Sequence, residues 1–415
     1  MVDPARTAMR TRSTMWDMKA LLLENIHHLA ETVFNNAGIE VEMRPGALAE
    51  DDLIEALDGV DLLGIRSTTQ VTKRVLDASP HLSAIGCFCI GTNQVDLTAA
   101  VDLGIPVFNA PFSNTRSVVE LVLAEIIVLA RRLTEKDRQL HAGEWNKSAA
   151  GSHEIRGRKL GIVGYGNIGS QLSVVAEMLG MEVYFYDTDD KLALGNAKRC
   201  ASLEELLDVA ECVTLHVDGR AGNAGLFGAR EFGRMRDRAL FLNLSRGFLV
   251  DYEALATALE SGHIAGAAVD VFPNEPKTRV GDFASPLQNL PNVILTPHVG
   301  GSTMEAQEDI GRFVAAKLRD YTHLGTTTLS VNAPELTLAF APGHHRITYF
   351  HTNTPGVLAS LNNILADHGA NIDGQLLGTR GQIGYVVTDA SMAMPQDVVA
   401  AIEALPETIR LRLIG

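Results

Sequence analysis

The chain has 415 residues, of which 46% are hydrophobic and 20% charged, and a formal net charge of -15. That length is too great for one ordinary domain, and the apolar content excludes a disordered chain. The acidic excess is spread along the sequence and reads as solubility; it argues against a nucleic-acid partner, which requires clustered Lys and Arg.

The first 18 residues carry Arg6, Arg10 and Arg12 but no following apolar region or cleavage site. They read as a disordered tail and not as a secretory signal. From residue 19 to 110, short apolar runs alternate with amphipathic patterns. Strands are predicted at 20–23, 62–65, 84–90 and 106–109, and helices at 27–37, 72–78 and 97–103. Such alternation predicts a parallel sheet with right-handed crossovers. One long helix is predicted over 117–141, apolar on more than one face near its start and therefore buried between domains or subunits. Its most apolar stretch, 121–130, contains Glu125 and is too short for a bilayer, so no membrane association is expected. Cys87, Cys89, Cys200 and Cys212 sit in apolar contexts without a His cluster. They read as reduced, mostly buried thiols of a cytoplasmic protein, with no metal site.

The alternation resumes with strands at 160–164, 182–187, 212–217, 239–244, 266–271 and 293–296, and Ser202 with Glu205 fits a capping box. A helix is predicted at 305–321, and the Thr-, Pro- and Gly-rich stretch 325–345 reads as a linker. Strand 346–351, helix 355–368, strands 371–377 and 383–389, helix 396–404 and strand 408–414 follow, a βαββαβ order of ferredoxin-like type.

The strand at 160–163 runs directly into Gly164-Tyr165-Gly166-Asn167-Ile168-Gly169 and a helix, and the next strand ends at Asp187. A bare Gly-x-Gly-x-x-Gly is weak, but strand, loop, helix and terminal acid together form a dinucleotide site. Gly164 permits the turn, Gly166 lets a pyrophosphate approach, and Gly169 lets helix and strand pack. Asp187 can accept both ribose hydroxyls and would repel a 2′-phosphate, and no Arg follows it, so NAD is preferred over NADP. Further polar residues stand past three successive strands of the same region: Arg246 in Ser-Arg-Gly, Asp270 and Glu275 after the next strand, and His298 in Thr-Pro-His. Singly each has a dull explanation. Together, beyond the carboxyl edge of an open sheet, they suit oxidation of a hydroxy acid, with His as proton acceptor, a carboxylate to orient it and Arg to clamp a substrate carboxylate.

The order of Gly-rich loop, Ser-Arg-Gly, Asn-Glu-Pro and Thr-Pro-His resembles the D-2-hydroxyacid dehydrogenase family, as do the stretches 85–96, 109–117 and 145–151. The likeness is to its branch that oxidises 3-phosphoglycerate to 3-phosphohydroxypyruvate and carries one regulatory domain. It implies Arg246 as carboxylate clamp, Glu275 as partner of the histidine and His298 as acid/base. It further implies that Asn167, Ile168, Asp187, Leu244, Ser245, Asp270, Gly300 and Gly301 surround NAD. The substrate phosphate would meet Arg66 with Lys147 nearby, and Asn114 and Thr115 would line the cleft. The last seventy residues resemble an ACT domain, which implies that His351, Asn353 and Asn371 bind L-serine as an inhibitor. A homotetramer, paired through nucleotide domains and terminal modules, is also implied.

Three positions depart from the pattern: Asp218 stands where the family has Pro, Thr68 where relatives place a second basic residue, and Thr354 where they have a basic residue before Pro355. The expected architecture is α/β, with two Rossmann-like parallel-sheet domains and a C-terminal ferredoxin-like domain. Residues 19–113 with 302–330 form the substrate domain, 114–301 the NAD domain, 331–345 a linker and 346–415 the regulatory domain. Two rival readings remain: a dehydrogenase of another D-2-hydroxy acid, such as glycerate, lactate, a longer phosphorylated acid or 2-hydroxyglutarate, and a non-enzymatic NAD-sensing corepressor.

Overall fold

The computed structural model describes residues 18–276, 281–339 and 345–414, so the tail read at residues 1–18 lies, apart from Met18, outside the described residues. It divides into two units, one formed by the chain up to Ser113 together with Gln307–Gly415, the other by Asn114–Ala306.

The first unit opens with β1 (Lys19–Leu22), α1 (Leu29–Asn35), β2 (Glu40–Met43), α2 (Glu50–Ala56), β3 (Leu62–Ile65), α3 (Lys73–Asp77), β4 (Ala84–Cys87), α4 (Leu97–Asp102) and β5 (Val107–Asn109). The five strands are parallel in the order β2-β1-β3-β4-β5. β3 and β4 are buried at every position, as strands covered on both faces must be, and their continuous apolar runs made them legible. β2 and α2 escape the sequence pattern. β2 is the edge strand Glu-Val-Glu-Met with no buried residue, so no apolar run marks it. The strand predicted over 84–90 stops at Cys87. Side-chain caps begin α3, where Thr72 accepts from Val75 N, and α4, where Asp96 accepts from Ala99 N at 2.9 Å.

The second unit contains α5 (Thr115–Arg131), α6 (Leu133–His141), β6 (Lys159–Val163), α7 (Asn167–Met178), β7 (Glu182–Tyr186), β8 (Lys198–Arg199), α8 (Leu203–Val209), β9 (Cys212–Leu215), α9 (Ala229–Arg234), β10 (Ala239–Asn243), α10 (Tyr252–Glu260), β11 (Ile264–Val269) and β12 (Val293–Leu295). Its sheet is parallel, ordered β12-β11-β10-β9-β6-β7-β8. The order reverses direction between β9 and β6, the switch point at which open α/β sheets take ligands. The single helix predicted over 117–141 is two helices. Arg132 takes a left-handed conformation (φ 53°, ψ 39°) that ends α5, and its guanidinium pairs with Glu135 at the start of α6. α5 buries eight of its residues and α6 none, so the break falls where the helix face changes role. The Ser202 side chain caps α8 as expected, accepting from Glu205 N at 3.2 Å, while the Glu205 carboxylate reaches back to Ala201 N at 2.6 Å. Among the described residues no helix is long and apolar enough to cross a membrane.

The chain returns to the first unit through α11 (Met304–Leu324) and ends in β13 (His345–Thr352), α12 (Val357–Asp367), β14 (Ile372–Arg380), β15 (Ile383–Ala390), α13 (Gln396–Glu403) and β16 (Thr408–Ile414). This is the expected βαββαβ order, folded as an antiparallel sheet β14-β15-β13-β16. The stretch read as a linker is fastened down over its described part. Asn332 accepts from Val107 N at 2.8 Å and donates to Ile105 O at 3.0 Å, and Thr327, Ser330 and Ala333 are buried. Nor is the terminal sheet a detached module. Phe350, Ile383, Tyr385 and Val387 share one core with Leu22, Phe34, Phe108 and Leu318. Arg346, fully buried against Asp389 at 2.6 Å, donates also to the carbonyls of Leu324, Leu338 and Ala339.

Candidate active site

The second unit brings the cofactor loop and the three strand-end groups to the carboxyl edge of one sheet. β6 is buried from Leu160 to Val163 and delivers the chain to Gly164, whose φ of +93° favours glycine. A Cβ there would also lie 2.6 Å from the His216 carbonyl oxygen, and one on Gly169 would overlap the Gly164 carbonyl. Gly166 precedes α7 and faces open space. Two of the three glycines are thus required by packing, and the third leaves room where the helix N-terminus offers unpaired N–H groups to an anion. Asn167 and Ile168 begin α7.

Asp187 follows β7, half-buried, with Oδ2 accepting from Tyr165 N at 2.7 Å and Oδ1 from Asp189 N at 2.9 Å. It braces the Gly-rich loop as well as capping its own turn, and its remaining lone pairs are those a ribose would use. At the family's Pro position, Asp218 accepts from Arg220 Nε at 2.9 Å and Asn223 Nδ2 at 3.0 Å. The hydrogen bond from Arg220 holds the Asp218 carboxyl below its ordinary range, with the charge of Arg246 adding to it. A Cβ on the next residue, Gly219, would stand 3.4 Å from Arg246 Nε, so this loop packs on the proposed clamp.

Arg246, half-buried, follows β10 and is held by backbone geometry that Asn243 supplies. The fully buried Asn243 amide donates to Arg246 O at 3.0 Å and to the Tyr252 hydroxyl at 3.0 Å, and accepts from Ser245 N at 3.1 Å. Tyr252 in turn donates to Val271 O at 2.6 Å, linking the ends of β10 and β11. Ser245 Oγ donates to Leu215 O at 2.5 Å, and Leu244 is buried beside it. Gly247 must be glycine, because a Cβ would overlap the Phe272 carbonyl. The sequence reading did not select Asn243 or Tyr252; a polar residue interrupting the apolar run Leu-Asn-Leu was the available signal.

Asp270 is 1% exposed and organises the turn that carries the histidine. Its Oδ1 accepts from Thr296 Oγ1 at 2.6 Å and Val299 N at 2.8 Å, its Oδ2 from Gly300 N at 2.8 Å. His298 itself has φ +54°, a left-handed conformation uncommon for a residue with a Cβ. Its Nδ1 is 2.8 Å from Glu275 Oε2, while Glu275 Oε1 accepts from Phe272 N at 3.0 Å. Half of the His298 side-chain surface remains open to solvent. The hydrogen bond to Glu275 raises the imidazole pKa above its ordinary value; burial opposes this, the charges of Glu275 and Asp270 assist, and Arg246 opposes. Burial pushes Glu275 upward, but the bonds from His298 and Phe272 N and the charges of His298 and Arg246 outweigh it and leave it lowered. Arg246, Glu275 and His298 therefore act on one another.

Gly301 packs on the Asn114 side chain, whose Cγ a Cβ would meet at 3.1 Å. Asn114 Oδ1 and Thr115 Oγ1 are buried without a hydrogen-bond partner, two open polar positions beside Gly300-Gly301. Lys147 is exposed on the stretch after α6. Arg66 belongs to the other unit, where its carbonyl accepts from Gln94 Nε2 at 2.5 Å, and the next turn is tied by Thr68 N and Thr69 N to Glu24. In the terminal sheet, His351 is 2% exposed with Nδ1 2.9 Å from Thr352 O, and its Nε2 has no partner. Asn353 and Asn371 are exposed; Asn353 donates to Gly381 O in the β14–β15 turn at 3.1 Å, and Asn371 donates within its own turn to Asp373 Oδ1 at 3.0 Å. Cys87, Cys200 and Cys212 are buried free thiols, and Cys89 is half-buried. Burial pushes Cys200 up to about 11 and Cys212 up to about 12, so neither is a nucleophile at neutral pH.

Residues 123–300 match the family described as D-isomer specific 2-hydroxyacid dehydrogenase, NAD binding domain, and residues 347–410 match the AHAS small subunit-like ACT domain. The chain is similar to D-3-phosphoglycerate dehydrogenase of Escherichia coli K12, 50% identical over 400 residues that cover 96% of this chain and 97% of the relative. It is 46% identical to D-3-phosphoglycerate dehydrogenase 1 of Saccharomyces cerevisiae, covering 96% of this chain and 88% of that one. Among solved structures, a glyoxylate reductase from Paecilomyes thermophila superposes with a TM-score of 0.66 at 26% identity, covering 74% of this chain and 96% of its own. An NAD-dependent formate dehydrogenase from Staphylococcus aureus in complex with NAD gives 0.61 at 27% identity, covering 73% and 95%. By its cofactor loop, its strand-end Arg, Glu and His, and its likeness to these relatives over nearly its whole length, the chain belongs to the D-2-hydroxyacid dehydrogenase family, in its D-3-phosphoglycerate dehydrogenase branch.

Proposed function

We propose that this protein oxidises 3-phospho-D-glycerate to 3-phosphohydroxypyruvate with NAD, the entry step to L-serine. The observation that carries the mechanism is the 2.8 Å bond between His298 Nδ1 and Glu275 Oε2 beside Arg246. NAD, for which the glycine cradle and Asp187 are fitted, supplies the hydride acceptor. The rest belongs to the chain. With Glu275 ionised, Nδ1 carries the proton, which leaves the Nε2 lone pair as the base. His298 takes the substrate hydroxyl proton at Nε2, and the carboxylate of Glu275 stabilises the imidazolium so formed. Arg246 holds the substrate carboxylate and orients the carbon that loses hydride.

Arg66 is the residue offered to the substrate phosphate, with Lys147 as a second cation and Asn114 and Thr115 as polar lining; the orphaned oxygens of the last two support this. His351, Asn353 and Asn371 are offered to L-serine in the ACT domain. The assembly is a homotetramer in the cytoplasm. A substrate panel tests the reading: NADH formation from 3-phosphoglycerate is expected to exceed that from D-glycerate, D-lactate and D-2-hydroxyglutarate, and Arg66→Ala is expected to raise KM for the phosphorylated acid far more than for the others. Better turnover of an unphosphorylated acid would reassign the substrate.

A further inference from the structure

Glu125 lies in the middle of α5 and is 3% exposed, and neither of its carboxyl oxygens has a hydrogen-bond partner. A carboxylate cannot persist unpaired in such a place, whereas a neutral acid can. Leucine or methionine would fill the same space without orphaned polar atoms, so packing gives no reason for an acid. Its neighbourhood does. α5 packs against α7, β10 and β11, and the apolar core it shares with them includes Leu172, Ala176, Leu240, Leu242 and Ala268. The charge that acts on Glu125 is that of Asp270, which stands just past β11. α5 also reaches the Asp270 turn by contact: a Cβ on Gly300 would lie 2.9 Å from Asp270 Oδ2, 3.7 Å from the Val118 side chain and 3.8 Å from that of Leu121. Leu121 is one helical turn before Glu125, on the same side of the helix. Two carboxyls in a water-poor space cannot both ionise easily.

We propose that Glu125 is a positioning residue for the histidine turn, staying protonated within the field of Asp270 so that the two carboxyls together carry a single negative charge. Asp270 spends that charge on Thr296, Val299 N and Gly300 N, which fix the left-handed His298 and the glycines after it. Loss of the Glu125 proton to solvent would place a second negative charge in the same core and loosen that turn. Burial, with Asp270 second, raises the Glu125 pKa to about 8, so the loss falls in mildly alkaline solution. The inference rests on the dehydrogenase reading for its kinetic consequence, not for its protonation state.

Two measurements on the full-length protein separate these parts. Infrared spectra without substrate are expected to show a protonated-carboxyl band at neutral pH that disappears as pH rises through about 8 and is missing in Glu125→Gln. In the oxidation direction, where His298 supplies the acidic limb, the wild type is expected to lose kcat over the same alkaline range. Glu125→Gln, which keeps a neutral group of the same shape, is expected to lose that alkaline step while its NAD affinity changes less than about threefold. Absence of the band at neutral pH overturns the proposal. So does a band that titrates while the alkaline limb stays the same in Glu125→Gln, since the acid would then be buried without positioning anything. An enzyme with no turnover of any hydroxy acid would defeat the functional reading and leave the infrared result standing.

Discussion

At the scale of single residues, the working groups were legible because Arg, acids and His stand together past successive strands beside a dinucleotide loop, although each alone has a dull explanation. Arg246, Glu275 and His298 each follow a strand of the seven-stranded sheet, and the folded chain pairs the last two at 2.8 Å. What supports them was legible only in part: Asp270 stands out at its strand end, but not the turn it builds. Asn243, Tyr252 and Asp270 act through hydrogen bonds to groups that only folding brings near. His298→Asn is expected to lower turnover by about two to four orders of magnitude while NAD still binds, as loss of a general base does; stopped-flow and NAD titration check this. Because Glu275 raises the His298 pKa, and oxidation needs the neutral imidazole, Glu275→Gln is expected to move the acidic limb of kcat/KM to lower pH. An unmoved limb would remove Glu275 from the pair. Asp187→Ala removes a ribose acceptor and also the carboxylate that accepts from Tyr165 N and Asp189 N. Charge-assisted bonds are worth about 1.5–3 kcal/mol, so NAD is expected to bind roughly tenfold or more weakly, NADP use to rise, and the melting temperature to fall. Unequal effects on the two cofactors separate the recognition role from the bracing role.

Elements were legible in proportion to how completely they are buried. β3, β4, β9 and β10 are buried throughout and stand out as apolar runs, whereas the exposed edge strands β2 and β8 leave no such trace. The break between α5 and α6 is invisible for a different reason. Arg132 is a good helix former, and nothing near it resembles Gly or Pro, so local preference runs on where the fold turns. The left-handed conformation is held by the Glu135 pair and by packing on Gly151. At the β6–α7 junction the two kinds of information agree, since Gly169 is both part of the motif and a steric necessity. Gly169→Ala would overlap the Gly164 carbonyl. Overpacking of this kind costs about 1–3 kcal/mol; thermal unfolding is expected to show it, together with loss of NAD binding in the folded fraction. Retention of both would mean that the loop yields more easily than its geometry implies.

For the molecule as a whole, the terminal βαββαβ sheet shares a core with the first parallel sheet and is tied to the end of α11 by Tyr385 OH to Gly325 O at 2.6 Å and to the turn before β4 by Arg410 to Leu82 O at 2.6 Å. Cutting it away would expose Tyr321, Leu318 and their neighbours, so point variants test regulation better than truncation does. Asn353→Ala and Asn371→Ala replace exposed side chains, each of which donates to a turn of the terminal sheet, Asn353 to the β14–β15 turn and Asn371 to its own. Each is expected to raise the L-serine concentration needed for half inhibition at least tenfold while uninhibited turnover stays near normal. Serine inhibition competitive with 3-phosphoglycerate, or insensitive to both substitutions, would place the effector elsewhere.

Read by itself, the amino-acid order determined the class of each domain, the cofactor loop and the chemical types of the working side chains. These depend on local spacing and on burial patterns that a linear chain displays directly. The tertiary structure decided where α5 ends, how the Thr- and Pro-rich stretch is fastened, that the terminal sheet joins the first core, and that Asp270 builds the turn on which His298 stands. The last three depend on contacts between groups far apart in sequence, which spacing along the chain does not encode, and the first on a left-handed Arg132 that helix propensity does not signal.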